Sequence, residues 1–242
     1  MIGKIDYNAR NLKSTKSAII FDIDGVLVDV SQSYRIAIAK TAEYFTGKKV
    51  LPDEINELKQ QTGFNNDWDL TEAIVKKRRV NVPYQKIVDK FQELYLGAQG
   101  KGGLIENEKW LLDLGVLGEL SKKYLIGILT GRPREEALIP LRKAGVENYF
   151  KVIVAMEDCE GCGKPNPYGL NLAMKKLGVT DKTNSVYVGD VPDDMRAAKN
   201  AGIVGIGSLP PQNKTRELKE RLISAGALKV MNEVNEIIKV VK

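Results

Sequence analysis

The sequence has no histidine in its 242 residues. That absence excludes Ser-His-Asp triads, Cys-His nucleophile pairs and histidine-ligated zinc sites. Any catalytic chemistry must therefore use carboxylates, lysine, hydroxyls, backbone amides or a hard metal ion.

Long apolar runs are also lacking. Residues 1–16 hold no stretch long enough for a signal peptide, and no later segment is long enough to span a membrane. Lys and Arg exceed Asp and Glu by 37 to 31, but they are spread along the chain rather than clustered as on a nucleic-acid-binding surface. We therefore expect a cytoplasmic protein that binds neither membranes nor nucleic acids, and whose charge of +6 suits small anionic ligands.

Only two cysteines occur, Cys159 and Cys162, in the sequence CEGC. A tetrahedral zinc site there would need carboxylates or a second chain to complete it, since the chain has no other cysteine and no histidine. Two free thiols and a disulfide bond are the other interpretations.

Short apolar segments alternate with amphipathic helical patterns along most of the chain. The segments predicted as strands are residues 18–21, 124–129, 151–154, 185–188, 203–206 and 228–231. Helical patterns lie between most of them, at residues 135–144, 167–177 and 193–201. This alternation predicts an α/β fold, a doubly wound parallel sheet with helices on both faces.

About 100 residues separate the first two predicted strands, too many for a single crossover connection. Within this stretch, residues 34–45 and 87–95 each place apolar side chains on one helical face. We therefore predict that residues 31–97 form an inserted all-helical cap domain, and that residues 1–30 and 98–242 form the core.

Reactive residues follow four of the predicted strands. They are Asp22 and Asp24 after the first strand, Thr130, Gly131 and Arg132 in GILTGRP, Lys164 in GKPNP, and Asp190, Asp193 and Asp194 in VYVGDVPDDM. The carboxyl ends of parallel strands meet at one edge of the sheet, so we expect these groups to lie together there. Carboxylates this close repel one another, and a compensating cation is required.

These four motifs, in this order and with a helical insertion after the first, resemble those of the haloacid dehalogenase superfamily of phosphohydrolases, in its phosphoglycolate-phosphatase-like branch. The resemblance covers nearly the whole chain. It implies a Rossmann-like core in which Asp22 is the nucleophile and forms an aspartyl-phosphate. Asp24 would protonate the leaving oxygen and then deprotonate the attacking water.

The resemblance also implies a Mg²⁺ cofactor, which prefers oxygen ligands. Its predicted ligands are the Asp22 carboxylate, the Asp24 backbone carbonyl, Asp190 and, as an outer ligand or a residue that orients bound water, Asp194. Thr130 and the Gly131 amide would hold the phosphoryl oxygens, and Lys164 would offset negative charge.

Purely structural interpretations exist for several of these residues. Thr130 could cap the helix that begins near Pro133, and Lys164 could be a solvated loop residue. Asp193 and Asp194 could both be charges in the first turn of a helix, favoured by its dipole. The family spacing assigns the functional carboxylate to Asp194 rather than Asp193.

The cap residues predicted to bind substrate are Arg35, Asn65 and Asn66. Arg35 lies in the first cap helix, directly after the nucleophile strand, and the two asparagines lie in the polar stretch QTGFNNDWDL, residues 61–70. The alternative for each is a solvated or packing role.

Together these features predict a Mg²⁺-dependent phosphatase that hydrolyses a small phosphorylated metabolite. A phosphomutase of the same superfamily is the closest alternative, but such mutases usually enlist a hinge histidine. A non-catalytic phosphate-binding regulatory module is the other; receiver domains of that kind are about half this length and have no large cap. Phosphoglycolate, sugar phosphates and histidinol phosphate all remain open as substrates.

Overall fold

The structure is a computed structural model that describes residues 17–64, 66–98, 102–180 and 182–241. Its strands are β1 (Ala18–Phe21), β2 (Val28–Asp29), β3 (Lys109–Trp110), β4 (Leu125–Leu129), β5 (Val152–Val154), β6 (Val186–Gly189), β7 (Val204–Ser208) and β8 (Ala227–Met231). Six of them form one parallel sheet in the order β5-β4-β1-β6-β7-β8. The remaining two, β2 and β3, pair as an antiparallel ribbon.

The helices are α1 (Tyr34–Thr46), α2 (Pro52–Lys59), α3 (Asp67–Lys77), α4 (Tyr84–Leu96), α5 (Leu114–Lys123), α6 (Arg134–Lys143), α7 (Tyr168–Leu177), α8 (Pro192–Ala201) and α9 (Arg216–Ala225). The first four follow β2 and precede β3, and they pack on one another. We refer to α1–α4, residues 34–96, as the helical segment. No described helix is long and apolar enough to cross a membrane.

The predicted α/β fold with its doubly wound parallel sheet is confirmed. Each predicted strand is present, shifted by at most two residues at either end. The sequence interpretation missed α5 and the β2–β3 ribbon, whose strands are only two residues long and whose pairing joins positions about 80 residues apart in the chain.

Strand β1 lies at the centre of the sheet, between β4 and β6. Its four residues are fully buried, as expected for a strand that is covered on both faces. The chain builds β4 and β5 on one side of β1 and then crosses over to build β6, β7 and β8 on the other. The carboxyl ends of β1, β4 and β6 therefore flank the point where the strand order reverses, which is the usual ligand site of such sheets.

The turn after β1 depends on Gly25. Its φ is +73°, a left-handed conformation that side chains rarely adopt, and a Cβ atom at this position would lie 2.3 Å from Asp190 Oδ2. Gly25 N donates to the carbonyl of Val28 (2.9 Å), and Leu111 N donates to that of Leu27 (2.8 Å). The first bond closes the turn after β1, and the second brings the chain returning from the helical segment beside the chain that leaves β1.

Candidate active site

Four predicted residues meet at the carboxyl edge of the sheet. Lys164 Nζ donates to Asp22 Oδ2 (2.9 Å) and is paired with Asp194 Oδ1 (2.6 Å). Oxygens of Asp22, Asp190 and Asp194 all lie within 4.8 Å of one another. We call Asp22, Lys164, Asp190 and Asp194 the edge cluster; all four side chains are buried or nearly so.

The electrostatics of the edge cluster reflect a surplus of negative charge. Burial, together with the Asp194 and Asp24 carboxylates, raises the pKa of Asp22 from 3.8 to about 7, although Lys164 opposes the rise. Burial and the neighbouring Asp194 and Asp22 also raise the pKa of Asp190 well above its ordinary value. Burial disfavours a charged Lys164, but Asp194 and Asp22 outweigh it and raise its pKa. Three carboxylates thus face one ammonium group.

This donor set fits a divalent metal ion. Every side-chain donor in it is a carboxylate oxygen, which Mg²⁺ and similar hard cations prefer. A bound cation would also offset the repulsion that, together with burial, raises the pKa values of Asp22 and Asp190. Among the described residues, this is the one group of three or more acidic or cysteine side chains close enough together to hold a metal ion.

Asp194 is fixed by the protein itself. Its Oδ2 accepts from the backbone N–H groups of Asp190 and Val191, each at 3.0 Å. Its Oδ1 accepts from the Tyr187 hydroxyl (3.1 Å) and is the oxygen paired with Lys164. This arrangement suits a residue that orients its neighbours rather than one that reacts.

Thr130 and Gly131 form the turn between β4 and α6. Thr130 is buried, and its Oγ1 accepts from Arg132 N (3.1 Å) within the turn; it does not cap α6, whose N-cap residue is Pro133 and has no side-chain cap. The hydroxyl proton is still available to a ligand. Both residues line a cavity that Lys164 also reaches, next to the edge cluster.

Asp24 is bound by a buried arginine. Arg132 donates to Asp24 Oδ1 from Nε (2.8 Å) and from Nη2 (2.5 Å). The same guanidinium donates to both oxygens of Glu108 and to the Tyr95 hydroxyl, each at 3.0 Å. We call Asp24, Arg132, Glu108 and Tyr95 the junction cluster, because Glu108 and Tyr95 lie where the chain returns from the helical segment.

Arg35 overhangs the edge cluster. It lies in α1 and lines, with Asp22, Asp24 and Lys164, an open cavity of about 470 Å³. Burial lowers the pKa of Arg35, although Asp67 and Asp190 oppose the change. Its Nη1 atom is buried and donates to none of the described residues, which leaves that N–H group for a ligand.

A second cation enters this cavity from the helical segment. Lys59, at the end of α2, lines the same cavity as Arg35 and forms an ion pair with Asp67, the first residue of α3. Sequence reasoning missed Lys59, because nothing in its local pattern separates it from a surface lysine.

The structure describes only one of the two asparagines that were predicted to bind substrate. Asn66 caps α3: its Oδ1 accepts from Trp68 N (2.8 Å), and its side chain lines a neighbouring cavity with Asp24 and Gly131. Asn65 lies outside the described residues, so its predicted role stays a prediction. Cys159 and Cys162 are free thiols, and burial raises the pKa of Cys159.

The polar loop of the helical segment contacts the core at Asp193. Gly63 N donates to Asp193 Oδ2 (3.1 Å), and Arg196 Nη1 donates to Thr62 Oγ1 (3.1 Å) and to Asp193 Oδ1 (2.7 Å). Asp193, which the sequence assigned to the helix dipole, therefore also docks the loop onto α8.

Sequence reasoning assigned no role to Arg132, Glu108, Tyr95 or Tyr187. Arg132 stood in a motif that was singled out, so its place beside Thr130 was a usable signal. Glu108 and Tyr95 lie outside every motif. Only the pairing of β2 with β3 brings Glu108 to the site.

Comparison with known proteins agrees with this geometry. The model of the family described as haloacid dehalogenase-like hydrolase matches residues 19–207. A protein of Phytophthora nicotianae named imidazoleglycerol-phosphate dehydratase is 36% identical over 220 residues, which are 88% of this chain and 48% of that protein. The chain thus spans about half the length of that relative.

Two other similar proteins match over nearly their full length. The phosphorylated carbohydrates phosphatase of Thermotoga maritima is 29% identical over 233 residues, 93% of this chain and 98% of that protein. A hydrolase of Pseudomonas syringae has a solved structure with a TM-score of 0.71 and 23% identity, covering 93% of this chain and 97% of that one. The second likeness supports the fold.

Proposed function

The chain belongs to the haloacid dehalogenase-like hydrolases, and from that premise we propose that it is a Mg²⁺-dependent phosphatase of small phosphate monoesters. The observation that carries the proposal is the edge cluster, in which a buried carboxylate at the end of β1 is paired with Lys164 beside two further carboxylates. Relatives named as phosphatases, such as that of Thermotoga maritima, support the reaction class.

In the first step, the Asp22 carboxylate attacks phosphorus and the bond to the leaving oxygen breaks. Asp24 gives its proton to that oxygen, so the leaving group departs as a neutral alcohol. Lys164 offsets the negative charge beside Asp22, and the Thr130 hydroxyl and Gly131 amide hold phosphoryl oxygens. The product of this step is an aspartyl-phosphate on Asp22.

In the second step, a water molecule attacks the phosphorus of the aspartyl-phosphate. Asp24 now accepts a proton from that water, the bond between Asp22 and phosphorus breaks, and inorganic phosphate leaves. The same residue thus acts first as acid and then as base, and both carboxylates return to their starting state.

Asp22, Asp190 and the Asp24 backbone carbonyl would hold the Mg²⁺ ion, with Asp194 orienting the groups around it. When bound, the ion neutralises charge on the phosphoryl oxygens. We choose Mg²⁺ over a softer metal because carboxylates, not thiolates or imidazoles, surround the position.

The helical segment would act as a cap that selects the substrate, with residues 31–97 as a cap domain on a core of residues 1–30 and 98–242. Arg35 would bind an anionic or polar part of the substrate, supported by its unpartnered buried Nη1. Asn66 keeps its amide group for the same purpose, while its carbonyl oxygen caps α3.

The test is release of phosphate from p-nitrophenyl phosphate by the purified protein, with Mg²⁺ and with EDTA. We expect turnover with Mg²⁺ alone, followed by selectivity on a panel of phosphoglycolate, sugar phosphates and histidinol phosphate. Trapping of a phosphorylated Asp22 by rapid quenching would identify the intermediate. A protein that binds phosphate but releases none from any ester would instead be a binding module.

A further inference from the structure

Asp24 is held on one oxygen only. Both contacts from Arg132 end on Oδ1, and no described residue hydrogen-bonds to Oδ2. The Asp24 side chain is 29% exposed and lines both cavities at the sheet edge. One oxygen is therefore anchored, and the other is left for a reacting group.

The Arg132 side chain, which holds Oδ1 of Asp24, cannot rotate without losing hydrogen bonds. A guanidinium has five N–H groups, and Arg132 forms five hydrogen bonds, to Asp24, Glu108 and Tyr95. Its side chain is buried, and its charge lies 4.8 Å from the ring centre of Tyr34. Any rotation of Arg132 would break at least one buried, charge-assisted hydrogen bond.

The partners of Arg132 come from both chain segments that join the helical segment to the sheet. Glu108 precedes β3, in the segment that returns, and its Oε1 accepts from Ser33 Oγ (2.8 Å), in the segment that leaves. Tyr95 lies near the end of α4 and also donates to Glu108 Oε1 (3.0 Å). A movement of either segment would therefore reach Asp24 through Arg132.

We propose that Arg132 is the positioning residue of Asp24: it fixes Oδ1, directs Oδ2 toward the reacting oxygen, and couples that direction to the two segments that carry the helical segment. The inference rests on the proposed phosphatase function, since it concerns the proton that Asp24 transfers. Arg132 itself touches no reacting atom in this scheme.

Substrates with different leaving groups distinguish a positioning role of Arg132 from a merely structural one. An alkyl leaving group needs the proton from Asp24, whereas p-nitrophenolate leaves readily without one. The ratio kcat/KM reports the steps up to departure of the leaving group. A misplaced Asp24 should therefore lower kcat/KM for an alkyl phosphate and spare that for p-nitrophenyl phosphate, whereas a loss of folded protein would lower both equally.

The experiment uses Arg132→Lys, which keeps the charge but loses the five-donor fork. We expect kcat/KM for glycerol 2-phosphate to fall roughly 10–100-fold and that for p-nitrophenyl phosphate to change less than about threefold. The matched control is Arg134→Lys, in the same turn but paired with Asp158, for which both values should stay within about twofold.

A second variant guards against misfolding of the first. Glu108→Gln leaves Arg132 in place and touches neither Asp24 nor substrate, so it should show the same selective loss in milder form, roughly 3–10-fold on glycerol 2-phosphate. In an Asp24→Asn background, Arg132→Lys should add no further loss, because both changes act through one carboxylate.

Equal losses on both substrates for Arg132→Lys and Glu108→Gln, or full additivity with Asp24→Asn, would overturn the inference. Neither outcome would touch the proposed function, which fails if the wild-type protein releases phosphate from none of the esters tested. The two failures are thus distinguishable in one set of assays.

Discussion

In the edge cluster, Asp22, Asp190 and Asp194 contact one another around the single ammonium group of Lys164, whereas in the junction cluster Asp24 and Glu108 share the guanidinium of Arg132. The two clusters differ in how far one cationic side chain balances the negative charge of its carboxylates. Every side-chain N–H group of Arg132 donates to a protein acceptor, on Asp24, Glu108 or Tyr95. In the edge cluster, burial and the repulsion from Asp194 and Asp24 raise the pKa of Asp22 to about 7, although Lys164 opposes the rise.

Asp22 and Asp24 lie only two residues apart, but their surroundings suit two separate purposes. A cluster with surplus negative charge suits a bound cation and a phosphoryl group, which together restore the balance. A cluster that is already balanced suits a fixed framework that holds one proton-transfer group in place. Five experiments test this contrast.

Asp22→Asn should have the largest effect. Losing the nucleophile should lower kcat for every phosphate ester by about 10⁴-fold or more. The protein should still fold, since one fewer carboxylate relieves repulsion in the metal-free edge cluster. Phosphate release measures the loss of kcat, and thermal unfolding measures whether the protein still folds. Residual activity above a few per cent would rule out the covalent mechanism.

Metal removal should abolish turnover as well. EDTA should stop phosphate release and Mg²⁺ should restore it, with Ca²⁺ a poor substitute because its looser coordination misplaces the nucleophile. Mg²⁺ should also raise the Tm of the wild-type protein but not that of Asp190→Asn, which lacks one ligand. Undiminished activity in EDTA would contradict the metal assignment.

Lys164→Met should lower kcat/KM by roughly 10²–10³-fold on alkyl and aryl phosphates alike. The reason is that Lys164 faces Asp22 and the phosphoryl group that all substrates share, in contrast to Arg132, whose loss should depend on the leaving group. The variant should also have a lower Tm at neutral pH, because three buried carboxylates lose their partner ammonium group. Lys164→Arg, which keeps the charge, is the control for stability.

Arg35→Ala and Asn66→Ala should act on the natural substrate. Losing one hydrogen bond from the helical segment should cost about 1–3 kcal/mol in the transition state, or roughly a 5–150-fold fall in kcat/KM. p-Nitrophenyl phosphate, which offers this segment little to bind, should change far less. The same pattern is expected for Asn65→Ala. Equal losses on both substrates would show that specificity lies elsewhere.

Arg196→Ala should have the smallest effect. It removes the contact with Thr62 and the partly exposed pair with Asp193, but leaves the bond from Gly63 N in place. Such a pair contributes up to about 1 kcal/mol, so KM should rise by about fivefold at most while kcat is unchanged. A larger change, or one in kcat, would mean that this docking contact sets the geometry of the edge cluster.

The sequence by itself predicted the parallel sheet and most of the residues at its edge. Apolar runs such as that of β1 are buried on both faces and therefore stand out in the sequence, and β-sheet topology brings the ends of β1, β4 and β6 together. The meeting of Asp22 with Lys164, 142 positions apart, followed from that rule.

Only the tertiary structure decided what surrounds Asp24. Its oxygen Oδ1 is bound by Arg132, and Arg132 is bound by Glu108, which reaches the site through a two-residue ribbon that no periodic pattern marks. Lys59 and Arg35 likewise line one cavity beside the edge cluster because α1 and α2 pack on each other. Strand ends follow from a repeated local pattern, whereas such buried contacts depend on side chains far apart in the chain, and the folded packing alone specifies them.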